Sequence, residues 1–326
     1  MRVLKSIFAL LAVLIVFSCK DSKSKERFLP PSTGSVNSLM VVMENELWRG
    51  AVGDKVRELF ARPALSLMPE QPILSLIQVP PQVFSGATAH SRSVLFVQQD
   101  SLNIAHIKSN VYAQPQKVAV VKGTTYNELV EGLEKVAENA ISAYKGNEII
   151  EAQRRFQRSL NKETALQENF GITMTIPSAY RIGKQENNFV WLDRQIPKGN
   201  MNIIVYTMPE GRFANDSTFV RDVVAMRDSI GKKYIPGPYT DTYMITEKAF
   251  SPYLFPIEVN GLKGAEARGI WEVYGHPMAG PFLTYILNDK VNKRKLVVEG
   301  FTFAPNTQKR DYMFELEAIL RTVQIQ

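Results

Sequence analysis

A single cysteine constrains the architecture of this 326-residue chain more than any other feature. Because Cys19 has no second cysteine to pair with, no disulfide bond can form within the chain. The fold must therefore be held together by a hydrophobic core. Apolar residues make up 45% of the sequence, which is the content of a globular protein, and the length suffices for one large or two medium domains.

The residues before Cys19 have the pattern of a secretion signal. Arg2 and Lys5 lie close to the start of the chain, and residues 7–17, which follow them, are all apolar. A helix that crosses a bilayer needs about 20 apolar residues, so this shorter run is typical of a signal-peptide core. The sequence therefore predicts a signal peptide at residues 1–18.

The motif Val16-Phe17-Ser18-Cys19 resembles the lipobox, at which lipoprotein signal peptidase cuts before a lipid-modified cysteine. Ser18 supplies the small residue that the cut requires, whereas Phe17 departs from the small residue that is usual there. We therefore expect lipidation of Cys19. The alternatives are a free thiol behind an ordinary signal peptide and an uncleaved apolar anchor.

A lipid on Cys19 would make a membrane the first partner of the protein, since each buried CH₂ of an acyl chain contributes about 0.8 kcal/mol. Residues 20–24 are mixed in charge, which favours the periplasmic face of the outer membrane over surface export.

The formal net charge of +7 includes Arg2 and Lys5. Since the remaining positive excess is scattered along the chain, we expect no nucleic-acid partner.

Composition and periodicity divide the remainder of the chain into three parts. Residues 19–35 are polar and poor in apolar side chains, which predicts a flexible tether. Residues 36–168 are predicted to form an N-terminal domain and residues 169–326 a C-terminal domain. Each is expected to be α+β, with an antiparallel or mixed sheet covered by helices.

In the N-terminal domain the clearest element is a helix that starts at a capping box, Thr125 to Glu128, and continues with apolar residues at three- and four-residue spacing. Gly146 predicts a break or bend, followed by a second, polar helix over residues 148–168. This polar helix is expected to be a solvated connector or, alternatively, a docking surface for a protein partner. Further elements are predicted as a strand at 36–43, a helix at 44–62 and strands at 93–98, 103–108 and 117–121.

In the C-terminal domain, short alternating or apolar runs predict an antiparallel sheet. Two amphipathic segments, 217–234 and 309–322, predict the helices that cover it. The strands are predicted at 170–176, 188–193, 200–208, 242–246, 264–274, 282–287 and 295–303.

Few residues indicate chemistry. The three histidines, His90, His106 and His276, have no metal-binding spacing, so we predict neither a metal site nor a cofactor. The sequence also lacks the Gly-x-Ser-x-Gly motif of serine hydrolases.

The segment 271–282 is the most unusual in the chain because aromatic residues, a histidine and several Gly and Pro residues join two predicted strands. Functional loops are often placed on rigid sheets in this way. We therefore take Trp271, His276 and Met278, together with Arg268, as candidate ligand contacts. The alternative is a tight hairpin with buried aromatic side chains.

Six short segments carry a family resemblance: residues 47–48, 170–177, 243–244, 268–271, 280–282 and 301–320. On these segments the chain resembles a family of uncharacterised lipoproteins from Bacteroidota that is described as a domain of unknown function. This resemblance implies a secreted, lipid-anchored protein of the outer membrane and no particular activity. Residues 170–326 also resemble, in pattern alone, the PsbP-like fold, whose members include non-enzymatic binding and assembly proteins.

Two functions remain open at the level of the sequence. The first is a non-enzymatic lipoprotein that binds or scaffolds another component of the cell envelope, such as a protein partner. The second is an envelope hydrolase acting on glycan, lipid or peptide, with His276, Glu272 and Asp289 as the residues to test first. Glu266 is a further candidate, because a glycosidase needs a pair of carboxylates and Glu266, Glu272 and Asp289 lie on predicted strands that could be neighbours.

Overall fold

The computed structural model of the protein describes residues 28–213 and 216–326. The predicted signal peptide, Cys19 and the first part of the predicted tether lie outside the described residues. Within the described ranges, no helix combines the length and the apolar character that crossing a membrane requires.

The strands of the N-terminal half are β1 (Ser38–Val42), β2 (Ser75–Val79), β3 (Ser93–Gln99), β4 (Ile104–Ser109) and β5 (Lys117–Gly123). They form one mixed sheet in the order β2-β1-β3-β5-β4, in which only β4 runs antiparallel to its neighbour. On β1, Leu39 and Val41 pack into one apolar cluster and Met40 and Val42 into another. Both faces of this strand are covered, which explains its continuous apolar sequence.

The helices of this half are α1 (Asn45–Arg49), α2 (Ala51–Phe60) and α3 (Tyr126–Phe156). The predicted start of α3 is confirmed, because Thr125 Oγ1 accepts a hydrogen bond from the backbone N–H of Glu128 at 3.2 Å. In return, the Glu128 carboxylate accepts the backbone N–H of Thr124 at 2.6 Å. One face of α3 packs with α2 against the sheet.

The break or bend predicted at Gly146 does not occur, and the helix predicted at 148–168 is helical only at 148–156, as the end of α3, and again from Ala165. Helix α3 runs through Gly146, which lies in open space on its exposed side, and ends at Phe156. Its last turns are held by tertiary contacts, since Ile149 packs against Phe314 and Ala318 of the C-terminal half. Part of the predicted docking surface is therefore covered by the chain itself.

The predicted tether is also too long. Ser32 donates its backbone N–H to Gln114 O at 3.0 Å, and Thr33 donates to His90 O at 2.8 Å. The side chain of Arg92, which is buried, donates to Gly34 O at 2.6 Å. These bonds attach residues 30–34 to the N-terminal half. The backbone groups in the loops at 90–92 and 114 need hydrogen-bond partners, and residues 30–34 supply them.

The C-terminal half contains α4 (Ala165–Phe170), α5 (Phe219–Tyr234), α6 (Arg310–Leu320), β6 (Ile172–Thr173), β7 (Arg181–Glu186), β8 (Phe189–Ile196), β9 (Gly199–Pro209), β10 (Tyr243–Thr246), β11 (Tyr253–Val259), β12 (Leu262–Tyr274), β13 (His276–Asp289), β14 (Arg294–Phe303) and β15 (Gln324–Ile325). Strands β7 to β14 form one antiparallel sheet in the order β10-β12-β13-β14-β9-β8-β7, with β11 paired to the same edge of β12 as β10. The strand predicted at 170–176 is confirmed only at Ile172–Thr173. Phe170 ends a helix, Gly171 follows in the left-handed conformation with φ +61°, and only two residues then pair with β15.

The two faces of this large sheet have separate cores. Helix α6 covers one face with Met313, Leu316, Ile319 and Leu320, which are the inward residues that the periodicity predicts. Gly300 allows this contact, because a Cβ there would lie 2.9 Å from Leu316 Cβ. Helix α5 covers the other face, where Val223, Met226 and Ile230 are buried.

A fully buried ion pair crosses the α5 face. Arg227 donates two hydrogen bonds to the Glu299 carboxylate, at 2.9 and 2.7 Å, and a third to Thr246 Oγ1 at 2.6 Å. Its guanidinium carbon lies 3.4 Å from the centre of the Phe282 ring. Since each charge has several partners, this pair fixes α5 on the sheet without leaving an uncompensated charge.

The predicted fold class is confirmed. The protein is α+β, with a mixed sheet in one half and an antiparallel sheet in the other, each covered by helices.

Candidate functional site

The four predicted ligand contacts do not form one site. Successive residues of a strand point to opposite faces of a sheet, and on β12 this places Arg268 towards α6 and Trp271 towards α5. Met278 packs against the same apolar cluster as Trp271. His276 lies at the start of β13, half-buried, with its ring 5.1 Å from that of Tyr239.

Trp271 is a core residue. It is 2% exposed, and its ring contacts Phe301 and Phe303. A Cβ on Gly280 would lie only 3.0 Å from Trp271 Nε1, so the indole is packed directly onto the neighbouring strand. The indole therefore packs in the core between the sheet and α5. This agrees with the alternative interpretation, a tight hairpin with buried aromatic side chains.

The residues named for a hydrolase are also separated. His276 and Asp289 are the two ends of β13, about 40 Å apart at the usual rise of a strand. Asp289 is fully buried and accepts hydrogen bonds from the Arg294 side chain at 2.7 Å and from Asn292 N at 3.1 Å. Its carboxylate thus holds the turn between β13 and β14. Glu266 is likewise bound to Arg268.

A different site lies between the two halves of the chain. The central cleft, with a volume of about 570 Å³, is bordered by residues 62–74 and α3 on one side and by β11, β12 and α6 on the other. This volume is in the range of small-molecule sites. Its apolar lining includes Leu65, Ile73, Ile141, Phe255, Met313 and Phe314.

One wall of the cleft is the 62–74 loop. Its two ends are joined by backbone hydrogen bonds, from Ala64 N to Gln71 O at 2.8 Å and from Ile73 N to Arg62 O at 2.9 Å. At the tip of the loop, Leu67 is 6% exposed and belongs to the apolar core under α6. The loop of one half is therefore anchored in the core of the other, which fixes the width of the cleft.

The charged lining of the cleft centres on a buried carboxylate. The Glu317 cluster comprises Glu317, Glu266, Lys145 and Arg268, which line the cleft, and Arg321, which lies outside the lining. Glu317 has a side chain that is 3% exposed and lies 2.9 Å from Lys145 Nζ, 2.8 Å from Arg268 Nη2 and 2.9 Å from Arg321 Nη2. Arg268 also pairs with Glu266.

Opposing effects set the protonation of this cluster. Burial alone would raise the pKa of Glu317, but Arg268, Lys145 and Arg321 hold it well below its ordinary value. Burial would lower the pKa of Arg268, yet the charges of Glu317 and Glu266 raise it. Glu317 and Arg268 are therefore both charged at neutral pH.

Two further cations line the cleft and are held in place by other contacts. Arg62 pairs with Glu138. Arg310 pairs with Asp311 at 2.9 Å and donates to Pro72 O and Ser75 Oγ, both at 3.0 Å. In contrast, Ser66 Oγ is shielded from solvent and has no hydrogen-bond partner among the described residues.

Of the residues that the sequence suggested for a site, Arg268 and Glu266 line the central cleft. The sequence nevertheless contains a signal for one lining residue that was not predicted, Glu317. Glu317 lies four residues after Met313 and three before Leu320, on the inward face of an amphipathic helix, where a charged residue requires a partner. Lys145 carries no such signal, because its role depends on where α6 lies in the fold.

No group of three or more His, Cys, Asp or Glu side chains suited to a metal ion occurs in the part of the chain that the structure describes. The central cleft therefore offers apolar walls, ion-paired charges and one free hydroxyl. Such an arrangement can hold an organic molecule and orient one polar end of it.

Two family models match the chain. One, described as a domain of unknown function (DUF4837), matches residues 159–322. The other, also described as a domain of unknown function (DUF8532), matches residues 32–157. No curated protein matches the chain.

Among solved structures, similarity is weak. A mutant of protein Mog1 is 8% identical, with a TM-score of 0.32 over 48% of this chain and 90% of that chain. The Ran-binding protein Mog1p of Saccharomyces cerevisiae is 9% identical, with a TM-score of 0.31 over 48% and 90%. A protein of unknown function from Pseudomonas aeruginosa is 12% identical, with a TM-score of 0.26 over 46% and 94%. Likenesses at this level carry no argument about function, and the PsbP-like fold stays a prediction.

Proposed function

The chain belongs to the family described as a domain of unknown function (DUF4837), and on this premise we propose that it is a non-enzymatic, lipid-anchored protein of the cell envelope that binds a small molecule in the central cleft. One observation carries the binding role. The cleft is bordered jointly by two halves that contact each other through Leu67 and the Glu317 cluster, and most of its lining surface is apolar.

Binding without catalysis is supported by the side chains that face the cleft. None of the described residues lining it is a His, Cys or Tyr, so the lining has no imidazole to activate Ser66. The two lining carboxylates, Glu266 and Glu317, are both neutralised by arginine or lysine. A general acid or base needs a proton that exchanges near neutral pH, which a carboxylate with a depressed pKa such as Glu317 does not offer.

The envelope location is supported by the sequence alone. The apolar run at 7–17 and the lipobox-like residues at 16–19 favour export and lipidation of Cys19. We place the mature protein on the periplasmic face of the outer membrane of a Bacteroidota cell, where a bound envelope component, small molecule or protein, would be scaffolded.

The lipid anchor is tested by the variant Cys19→Ser. Cells fed an alkyne analogue of palmitate should label the wild-type protein in the membrane fraction and leave the variant unlabelled. Equal labelling of both proteins would exclude Cys19 as the lipidated residue. A labelled wild-type protein found only in the inner membrane would contradict the outer-membrane location.

The binding role is tested by filling the cleft. Wild-type protein isolated gently from native membranes should carry an additional small-molecule mass in native mass spectrometry. Ile141→Trp places a larger side chain in the cleft and should remove that mass. Ile150→Trp is the matched control, since Ile150 is 64% exposed on the same helix and does not line the cleft. If the wild type carries no additional mass, or if Ile141→Trp retains it, the proposed function is wrong.

A further inference from the structure

The Glu317 cluster contains more positive than negative charge. Lys145, Arg268 and Arg321 contribute three positive charges, and Glu266 and Glu317 contribute two negative charges. The difference, three minus two, leaves the cluster with one net positive charge, because Arg321, which does not line the cleft, shares the Glu317 carboxylate with Lys145 and Arg268. Since a charge removed from water is costly without a partner, this surplus favours an anion.

Lys145 is the member of the cluster best placed to receive that anion. Its side chain is 40% exposed and lines the central cleft. An ammonium group carries three donors, and among the described residues Lys145 Nζ contacts only Glu317 Oε1, at 2.9 Å. Arg268 lines the cleft beside the same carboxylate and is 18% exposed.

The other cations of the cleft are already engaged. Arg310 has a carboxylate, a carbonyl and a hydroxyl as partners. Arg62 has both oxygens of Glu138. Of the cations that line the cleft, Lys145 therefore has the fewest partners among the described residues, and Arg268 lies beside it on the same carboxylate.

The exposed apolar side chains of the cleft walls favour a ligand with an apolar part. Leu65 and Phe255 are 44% and 40% exposed, and they line the cleft together with Ile73, Ile141 and Phe314. A small inorganic anion would leave these apolar surfaces in contact with water. An uncharged apolar molecule would leave the surplus positive charge without a partner.

We infer that the central cleft binds an anionic amphipath, a molecule with a carboxylate or phosphate group at one end and an apolar chain at the other. The anionic end contacts Lys145 and Arg268, and the chain lies along the 62–74 loop and Phe255. This inference rests on the proposed function, since it names the ligand class of the same cleft.

The experiment uses the full-length protein in lipid nanodiscs, with empty nanodiscs as the blank. Three probes of equal chain length are titrated: dodecanoate, dodecyl phosphate and dodecanol. We expect at least one anionic probe to bind about tenfold or more tightly than the alcohol, because a charge-assisted contact is lost in the alcohol. A preference for dodecanoate indicates a free fatty acid, and a preference for dodecyl phosphate indicates a phospholipid-type head group.

Variants of Lys145 localise the effect. Lys145→Gln should weaken binding of the preferred anionic probe about tenfold and leave dodecanol binding unchanged, whereas Lys145→Arg, which keeps the charge, should largely retain the anion. Lys135→Gln is the matched control, since Lys135 is exposed on the same helix and does not line the cleft. Thermal unfolding of each variant checks that its fold is intact.

The outcomes separate this inference from the proposed function. Equal affinity for dodecanol and both anions, or no effect of Lys145→Gln, overturns the anionic class while small-molecule binding stands. Failure of every probe overturns it as well, and the native mass spectrum then decides whether the cleft still holds another molecule. If that spectrum is also empty, both the inference and the proposed function fail.

Discussion

The side-chain oxygen of Gln71 accepts a hydrogen bond from the backbone N–H of Lys309 at 2.8 Å, across 238 residues of sequence. The same oxygen accepts the N–H of Arg310 at 3.0 Å. The first N–H groups of a helix have no partner within the helix, so Gln71 of the 62–74 loop supplies the N-terminal cap of α6. One half of the protein thus completes a helix of the other.

Removing this cap should destabilise the protein. Gln71 is 5% exposed, so Gln71→Ala leaves two shielded N–H groups without an acceptor, and we expect a loss of about 1 to 3 kcal/mol in the free energy of unfolding. Urea denaturation measures this loss. The control is Gln82→Ala, an exposed glutamine bonded to Glu44, which should change stability by less than about 0.5 kcal/mol. Equal effects of the two variants would argue against the cap.

The anchoring of the 62–74 loop gives a second prediction. Leu67→Ala should cost about 2 to 5 kcal/mol, as for other buried leucines, because its side chain leaves a cavity in the core under α6. Leu102→Ala, at a residue that is 55% exposed in another loop, should cost far less. Denaturant unfolding compares the two. A small effect of Leu67→Ala would mean that the loop is not held by this contact.

Two helical glycines should respond in opposite directions to alanine. At Gly231 of α5 a Cβ would lie 2.0 Å from Met244 O, so Gly231→Ala must displace α5 from β10 and should destabilise the protein by about 1 to 3 kcal/mol. At Gly146 of α3 a Cβ meets nothing within 4 Å. Gly146→Ala should therefore stabilise the protein by about 0.5 to 1 kcal/mol. Thermal unfolding tests both, and a destabilised Gly146→Ala would contradict the continuous helix.

The depressed pKa of Glu317 makes stability depend on pH. A carboxyl group whose pKa is lower in the folded state contributes stability above its unfolded pKa, and this contribution is lost as the pH falls towards the folded value. Glu317→Gln should therefore cost about 3 to 5 kcal/mol near pH 7, because it leaves three cations with one carboxylate. The difference from the wild type should shrink from about pH 5 downwards.

Unfolding curves of both proteins at several pH values measure this difference. Glu58→Gln is the control, because Glu58 is an exposed carboxylate paired with Lys55 on α2, and surface pairs of this kind contribute little. A difference between wild type and Glu317→Gln that stays constant with pH would show that the Glu317 carboxylate is not held charged by its neighbours.

The sequence alone predicted the features that depend on neighbouring residues. The start of α3 at Thr125 was predictable because the capping box is a local motif. The inward face of α6 was predictable because the spacing of Met313, Leu316 and Leu320 reports which side of a helix is buried. The α+β class follows from the same local periodicities, and so does the expected lipidation of Cys19, which remains a prediction.

Only the tertiary structure decided the features that join distant residues. Helix α3 passes through Gly146 because its end packs on Phe314 and Ala318, and no property of residues 146–156 alone reports that contact. The predicted contacts Trp271 and Arg268 lie on opposite faces of one strand, whereas Arg268 meets Lys145 through Glu317. Local sequence determines which elements form, but the central cleft exists because long-range packing brings the two halves of the chain together.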